Sequence, residues 1–129
     1  MDQVAQIPRR PTLLVVEDDI SLRSALTFDL ETDGFVVRAY ADARPVLAGP
    51  GDVDCMIVDM RLPEVDGLTL IGKLREKGVW APAILITTNP DHRVRRVADA
   101  MGVQIVEKPL IGGELRRRID ELLTASPDS

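Results

Sequence analysis

The chain has 129 residues, 45% hydrophobic and 29% charged, with a net charge of −5, which describes one folded domain and excludes a disordered polypeptide. No run approaches the ~20 apolar residues of a membrane span, and residues 1–11 lack the apolar core of a signal peptide, so a cytoplasmic protein is expected. The acidic balance argues against unspecific nucleic-acid binding, which needs Lys and Arg to neutralise phosphate.

Residues 1–11, polar and interrupted by Pro8 and Pro11, read as a flexible N-terminal tail. Thr12 to Val16 is an apolar run of strand length that ends on Glu17, Asp18 and Asp19. Leu22, Ala25, Leu26 and Leu30 then recur at helical spacing, and Asp33-Gly34 closes that helix. A second strand is expected over 35–39 and a short helix over 41–47, with Gly49-Pro50-Gly51 behind it. Cys55 to Val58, an apolar run without Gly or Pro, reads as a buried strand that delivers Asp59 to its carboxyl end, ahead of a loop marked by Pro63 and Gly67. The lone Cys55 has no partner in this chain for a disulfide and reads as a small buried hydrophobe.

A third helix is expected over 67–77, striped by Leu68, Ile71 and Leu74, and a fourth strand over 82–86 that ends on Thr87 and Thr88. Asn89-Pro90-Asp91 opens a fourth helix, buried through Val94, Val97, Ala98 and Met101. A last strand over 103–106 ends at Glu107-Lys108-Pro109, and Ile111, Leu115, Ile119, Leu122 and Leu123 stripe a final helix. Strands and helices alternate with crossovers long enough for parallel pairing, so the fold is α/β: a doubly wound five-stranded parallel sheet flanked by five helices in a three-layer sandwich.

In such a sheet ligands collect outside the carboxyl ends of the strands. There this chain gathers Glu17, Asp18, Asp59, Thr87 and Lys108. Carboxylates brought within a few ångström of one another repel, and the arrangement makes sense around a hard cation, for which Mg²⁺ fits best because it keeps waters and shares carboxylates with a phosphoryl group. Thr87 and Lys108 suit that phosphoryl, as a hydroxyl donor and a point charge.

With Val-Val-Glu-Asp-Asp (15–19), Val-Asp-Met-Arg-Leu-Pro-Glu-Val-Asp-Gly (58–67), Ile-Thr-Thr (86–88) and Glu-Lys-Pro-Leu (107–110) in this order, the chain closely resembles the receiver domain of bacterial two-component response regulators. The resemblance runs from about Thr12 to Leu123 and implies a flavodoxin-like receiver domain over 12–125, with a tail over 126–129. It implies that Asp59 is the phosphoacceptor, that Glu17, Asp18, Asp59 and the backbone carbonyl of Arg61 hold Mg²⁺, and that Thr87 and Lys108 hold the phosphoryl group. The phosphoryl donor would be a sensor histidine kinase or a histidine phosphotransfer protein. Output would pass to a downstream protein partner or to an output domain not in this chain, without direct nucleic-acid binding by this domain.

Ile105 stands where many receivers carry a Tyr or Phe that turns inward on activation, a switch that an aliphatic side chain does not make. Thr88 stands where the family usually has Ala or Gly, and its bulk predicts slow loss of phosphate. Arg61 and Asn89 flank the mouth of the site, and the fourth helix is expected to be unusual because the stretch from Thr87 to Lys108 is short for the family.

Asp19 is read first as an exposed cap of the first helix, with a share in the metal as the second reading, His92 as a solvated residue and Trp80 as a packing residue at the opposite end of the sheet from Asp59. Arg93, Arg95 and Arg96 on the fourth helix and Arg116, Arg117 and Arg118 on the fifth read first as solvated surface, with a basic face for an acidic partner or a homodimer as the second reading. A stand-alone aspartyl phosphatase wants a second Asp where Arg61 stands, and a nucleotide or flavin binder would meet repulsion from Glu17-Asp18-Asp19, so the chain does not read as an enzyme in its own right. A receiver-like scaffold that works without phosphorylation is the alternative, and its usual mark, a missing acid or Lys, is not found here.

Overall fold

The computed structural model describes residues 10–124. In chain order these form β1 (Thr12–Val16), α1 (Ile20–Thr32), β2 (Val36–Tyr40), α2 (Ala43–Ala48), β3 (Cys55–Asp59), α3 (Gly67–Glu76), β4 (Ala83–Thr87), α4 (His92–Ala100), β5 (Gln104–Glu107) and α5 (Glu114–Thr124). One sheet results, in the order β2-β1-β3-β4-β5, with every neighbouring pair parallel. No described helix is long and apolar enough to cross a membrane. Of the tail expected over 1–11, only Arg10 and Pro11 are among the described residues, and the Pro11 carbonyl accepts the Val36 N–H at 2.9 Å. The tail expected over 126–129 lies outside them.

The three layers follow from the two-residue alternation of strands. Leu14, Val16, Met56, Val58 and Leu85 face α2, α3 and α4, whereas Leu13, Val15, Cys55, Ile57, Ile84 and Ile86 face α1 and α5. Because both faces of β1, β3 and β4 are covered, all five positions of each are buried, and these strands read as continuous apolar runs. Cys55 is fully enclosed and burial pushes its thiol up to about 12, in line with the reading of a buried hydrophobe.

Four helices begin on an aspartate whose side chain accepts a backbone N–H of the first turn: Asp19 from Leu22, Asp42 from Arg44, Asp66 from Thr69 and Asp91 from Val94. These caps move two starts: α2 begins at Ala43, not at residue 41, and Pro90 lies ahead of the α4 cap. At the other end, α1, α3 and α4 close through the same turn. Phe35 N–H donates to Leu30 O at 3.1 Å, Val79 to Leu74 O at 2.9 Å and Val103 to Ala98 O at 2.8 Å. Phe35 and Val103 thereby spend on a helix the hydrogen bond that a strand would use, so β2 and β5 each start one residue later than expected. β4 is likewise displaced by one, starting at Ala83 and ending at Thr87.

The final helix is shorter than its apolar stripe suggested. Gly112 and Gly113 both have φ of 75°, a left-handed pair that breaks the helical path, so α5 starts at Glu114 and Ile111 is left in the preceding loop, largely exposed. On α4 only Ala98 is buried; Val94, Val97 and Met101 are half-buried. Ile105, half-buried, lies opposite Leu85 in the β4–β5 register. His92 is exposed at the start of α4.

Trp80 is not a packing residue. It is 71% exposed, with the Arg75 guanidinium 5.6 Å from its ring centroid, while that guanidinium also donates to the Met101 carbonyl at the end of α4. Among the six arginines of α4 and α5, Arg95 pairs with Glu107 at 2.9 Å, Arg116 with Asp33 at 2.5 Å and Asp120 at 2.9 Å, and Arg118 with Glu114 at 3.0 Å. Acids of the same chain thus take up half of the basic set, which favours the solvated reading over a single basic face.

Candidate functional site

The first acid is placed by the sheet. Glu17 N–H donates to Tyr40 O at 3.0 Å, carrying the β1–β2 ladder one step past β1, so the side chain keeps the strand alternation and stays wholly buried. Asp59 ends β3 opposite Ile86, and Met60 N–H extends the pairing to Ile86 O at 2.9 Å. Lys108 N–H donates to Thr87 O at 2.8 Å, which holds the start of the β5–α5 loop against the end of β4; the Lys108–Pro109 peptide is cis.

These placements converge. Oxygens of Glu17, Asp18 and Asp59 lie within 4.8 Å of one another. Lys108 Nζ stands between two of the acids, 3.3 Å from Glu17 Oε1 and 3.3 Å from Asp59 Oδ2. Thr87 is buried and lines the same cleft of about 280 Å³, together with Arg61 and Thr88. What the structure places on Asp59 from Arg61 is the backbone N–H, which donates to Oδ1 at 3.3 Å. Asp19 points its carboxylate at Leu22 N–H, 2.8 Å away, as the cap it was read to be.

The electrostatics are those of a crowded anion. Burial pushes Glu17 up to about 7, from an ordinary value of 4.5; the hydrogen bond that its Oε2 accepts from Asp19 N–H at 3.0 Å pulls the other way, Asp59 adds to the rise and Lys108 offsets part of it. Lys108 feels the converse: burial disfavours its charge, but the negative charges of Asp59 and Glu17 outweigh that and raise its proton affinity. Glu17 Oε1, despite its nearness to Lys108, is a buried oxygen without a hydrogen bond. Carboxylates outnumber the one ammonium, and one of their oxygens, Glu17 Oε1, is unsatisfied, a donor set suited to a hard divalent cation.

A larger groove of about 570 Å³ opens beside the cleft, between the β3–α3 and β4–α4 loops, and shares Arg61, Thr87 and Thr88 with it. Two of its residues, Glu64 and Asn89, have positive φ, 76° and 46°. Two further residues have contacts at the site that the sequence reading did not assign. Gly67, the first residue of α3, passes directly over the backbone of Asp59, and Arg23 on α1 reaches back to the acids of the β1–α1 turn. Both approaches depend on loops whose course no local pattern announces.

A family model described as the response regulator receiver domain matches residues 13–120. The chain is 30% identical over 114 residues to the transcriptional regulatory protein FixJ of Bradyrhizobium diazoefficiens, a match that takes in 86% of this chain and 56% of that protein, about half its length. It is 34% identical over 120 residues to a 14.6 kDa protein of Leptolyngbya boryana, covering 89% of this chain and 92% of that one. Among solved structures, the response regulator TrrA of Thermotoga maritima, in complex with Mg²⁺-BeF, superposes with a TM-score of 0.77 at 27% identity, over 88% of this chain and 99% of that one. Sequence, strand order and the acidic strand ends agree, and the chain belongs to the response regulator receiver domain family of two-component systems.

Proposed function

We propose that this receiver domain takes a phosphoryl group onto Asp59 from the phosphohistidine of a sensor kinase or phosphotransfer protein, and that the modified state changes which partner it binds. The observation that carries this reading is the position of Lys108 Nζ, 3.3 Å from both Glu17 and Asp59, within a set of three carboxylates. Receiver domains bind Mg²⁺ at an acidic pocket; here Glu17, Asp18 and Asp59 would hold it, with the Arg61 carbonyl as the further ligand implied by the family. When bound, the ion supplies charge neutralisation for the phosphoryl oxygens.

An Asp59 carboxylate oxygen attacks phosphorus in line. The new O–P bond forms as the P–N bond breaks, and the bonding pair returns to the imidazole ring, which leaves as the neutral base after taking up a proton. Lys108, now paired with Glu17 and Asp59, turns its charge toward the incoming phosphoryl oxygens, and the Thr87 hydroxyl donates to one of them. The added charge of roughly −1.5 to −2 biases the loops that border the groove, shifting populations between existing conformations. Water later hydrolyses the acyl phosphate and restores the carboxylate.

Acetyl phosphate with Mg²⁺ is expected to give a one-phosphate gain in intact mass that is lost with EDTA and in Asp59→Ala. No gain from this donor or from any kinase would move the reading to a scaffold that is never phosphorylated. Thr88 is exposed and lines both the cleft and the groove, a position from which its bulk would narrow the approach of water to the acyl phosphate. Thr88→Ala is therefore expected to shorten the acyl-phosphate lifetime several-fold, followed by mass after removal of the donor; an unchanged decay would sink the gating role.

A further inference from the structure

The turn from Glu17 to Asp19 places three acids in a row at one strand end. Their charges push against one another, and that repulsion would relax if the backbone were free to splay. Each carbonyl of the turn is instead tied to a single residue. Arg23 Nη1 donates to Glu17 O at 2.8 Å and to Asp18 O at 3.4 Å, and the Arg23 backbone N–H donates to Asp19 O at 2.9 Å. Arg23 is itself fixed, half-buried within α1, where its carbonyl accepts the Thr27 hydroxyl at 2.8 Å.

We infer that Arg23 is a positioning residue for the divalent cation: by clamping the carbonyls of Glu17 and Asp18 it fixes the two side chains that would share the ion with Asp59, an inference that rests on the function proposed above. The guanidinium binds no carboxylate of the cluster through these contacts. It acts on the peptide groups that carry the carboxylates, as partners behind metal ligands do. Both carbonyl contacts come from Nη1 at the tip of the side chain, and a lysine, which keeps the charge on a side chain one bond shorter, reaches the two carbonyls less completely.

Positioning and bare charge predict opposite signs. A cation lodged beside three acids repels a second cation, so removing it as charge alone would tighten Mg²⁺ binding, whereas removing a clamp loosens it. Mg²⁺ is titrated calorimetrically into the full, phosphate-free chain and its Arg23→Met and Arg23→Lys variants, at a temperature where far-ultraviolet dichroism shows all of them folded. Arg23→Met is expected to bind Mg²⁺ about tenfold more weakly, and Arg23→Lys, with its charge kept and one carbonyl within reach, to fall between it and the wild type. Affinity in Arg23→Met equal to or tighter than wild type overturns the inference. If Arg23→Met does not fold, Arg23→Lys decides: weaker binding supports the clamp, and wild-type affinity overturns it. A wild-type chain that binds no Mg²⁺ at millimolar concentration overturns the proposed function together with this inference, whereas normal binding in wild type and both variants overturns the role of Arg23 alone.

Discussion

Gly67→Ala is expected to destabilise the domain by about 3 kcal/mol and to lower its Tm by roughly 10 °C, with loss of most phosphate uptake. A methyl group at this position would fall far inside contact distance of the Asp59 carbonyl oxygen and 2.9 Å from Leu85 Cδ1. Gly67 N–H already donates to Met60 O at 2.8 Å, so the start of α3 is pressed onto the residue that carries the site. Backbone cannot move aside as a flexible side chain does, and relief would come by pushing the β3 end, and Asp59 with it, away from Lys108.

The sign makes the test sharp, because a Gly→Ala change inside a helix ordinarily stabilises by roughly 0.5–1 kcal/mol. Gly72 on the same helix supplies the control: its added methyl would meet only Met101 Cε, at an ordinary 3.8 Å. Thermal unfolding of both variants should give a fall for Gly67→Ala and a level or raised Tm for Gly72→Ala. A Gly67→Ala protein as stable as the wild type would show that the close approach to Asp59 is not a constraint.

Glu17 makes the metal-free domain less stable as pH rises. Its carboxyl titrates near 4.5 when exposed and is pushed up to about 7 in the fold, principally by burial. Between those values the native state holds a proton that the unfolded chain has released, so unfolding free energy falls with increasing pH. The contribution is fully present below pH 4.5 and is lost as pH passes through about 7. Over that range it amounts to on the order of 3 kcal/mol, at about 1.4 kcal/mol per pH unit. Glu17→Gln keeps the shape and removes the titration. Urea unfolding in EDTA from pH 5 to pH 8 should therefore show the wild type losing stability relative to Glu17→Gln, with the variant the more stable of the two at pH 8. Parallel pH curves would refute the assignment. The same variant takes one acid out of the cluster, so the proposed Mg²⁺ binding is expected to weaken as stability rises.

What could be read from residues alone was the part governed by local pattern. Apolar runs that give way to Glu17, Asp59, Thr87 and, one residue past Glu107, Lys108 announce buried strands with polar ends, and the fold carries those four residues to one cleft. The boundaries slipped where a hydrogen bond was claimed by a neighbouring element. Phe35 and Val103 look like strand residues by side chain and are helix-closing residues by backbone. Ile111 fits the periodicity of α5, yet the glycines behind it have a left-handed backbone that periodicity does not register. Val94, Val97 and Met101 form the inward stripe expected of α4 but are only half-buried, since grooves run along that side of the helix. Arg23 and Gly67 were out of reach for another reason. Their roles lie in what their atoms meet after the β1–α1 and β3–α3 turns have folded, and residue type and spacing carry no signal of either contact.

The site is held together by no short segment. Asp59 ends β3, and Glu17 and Lys108 directly follow β1 and β5, segments remote in sequence that only the completed sheet brings to one end of the fold. The cluster therefore exists in the folded chain and nowhere in the unfolded ensemble, and a cation bound there adds RT ln(1 + [M]/Kd) to the free energy of unfolding, about 2.7 kcal/mol at a hundredfold excess over Kd. By the same linkage, if the proposed ion binds, ionic conditions that fill or empty the cluster would set how often the entire domain opens, and with it the chain's susceptibility to proteolysis.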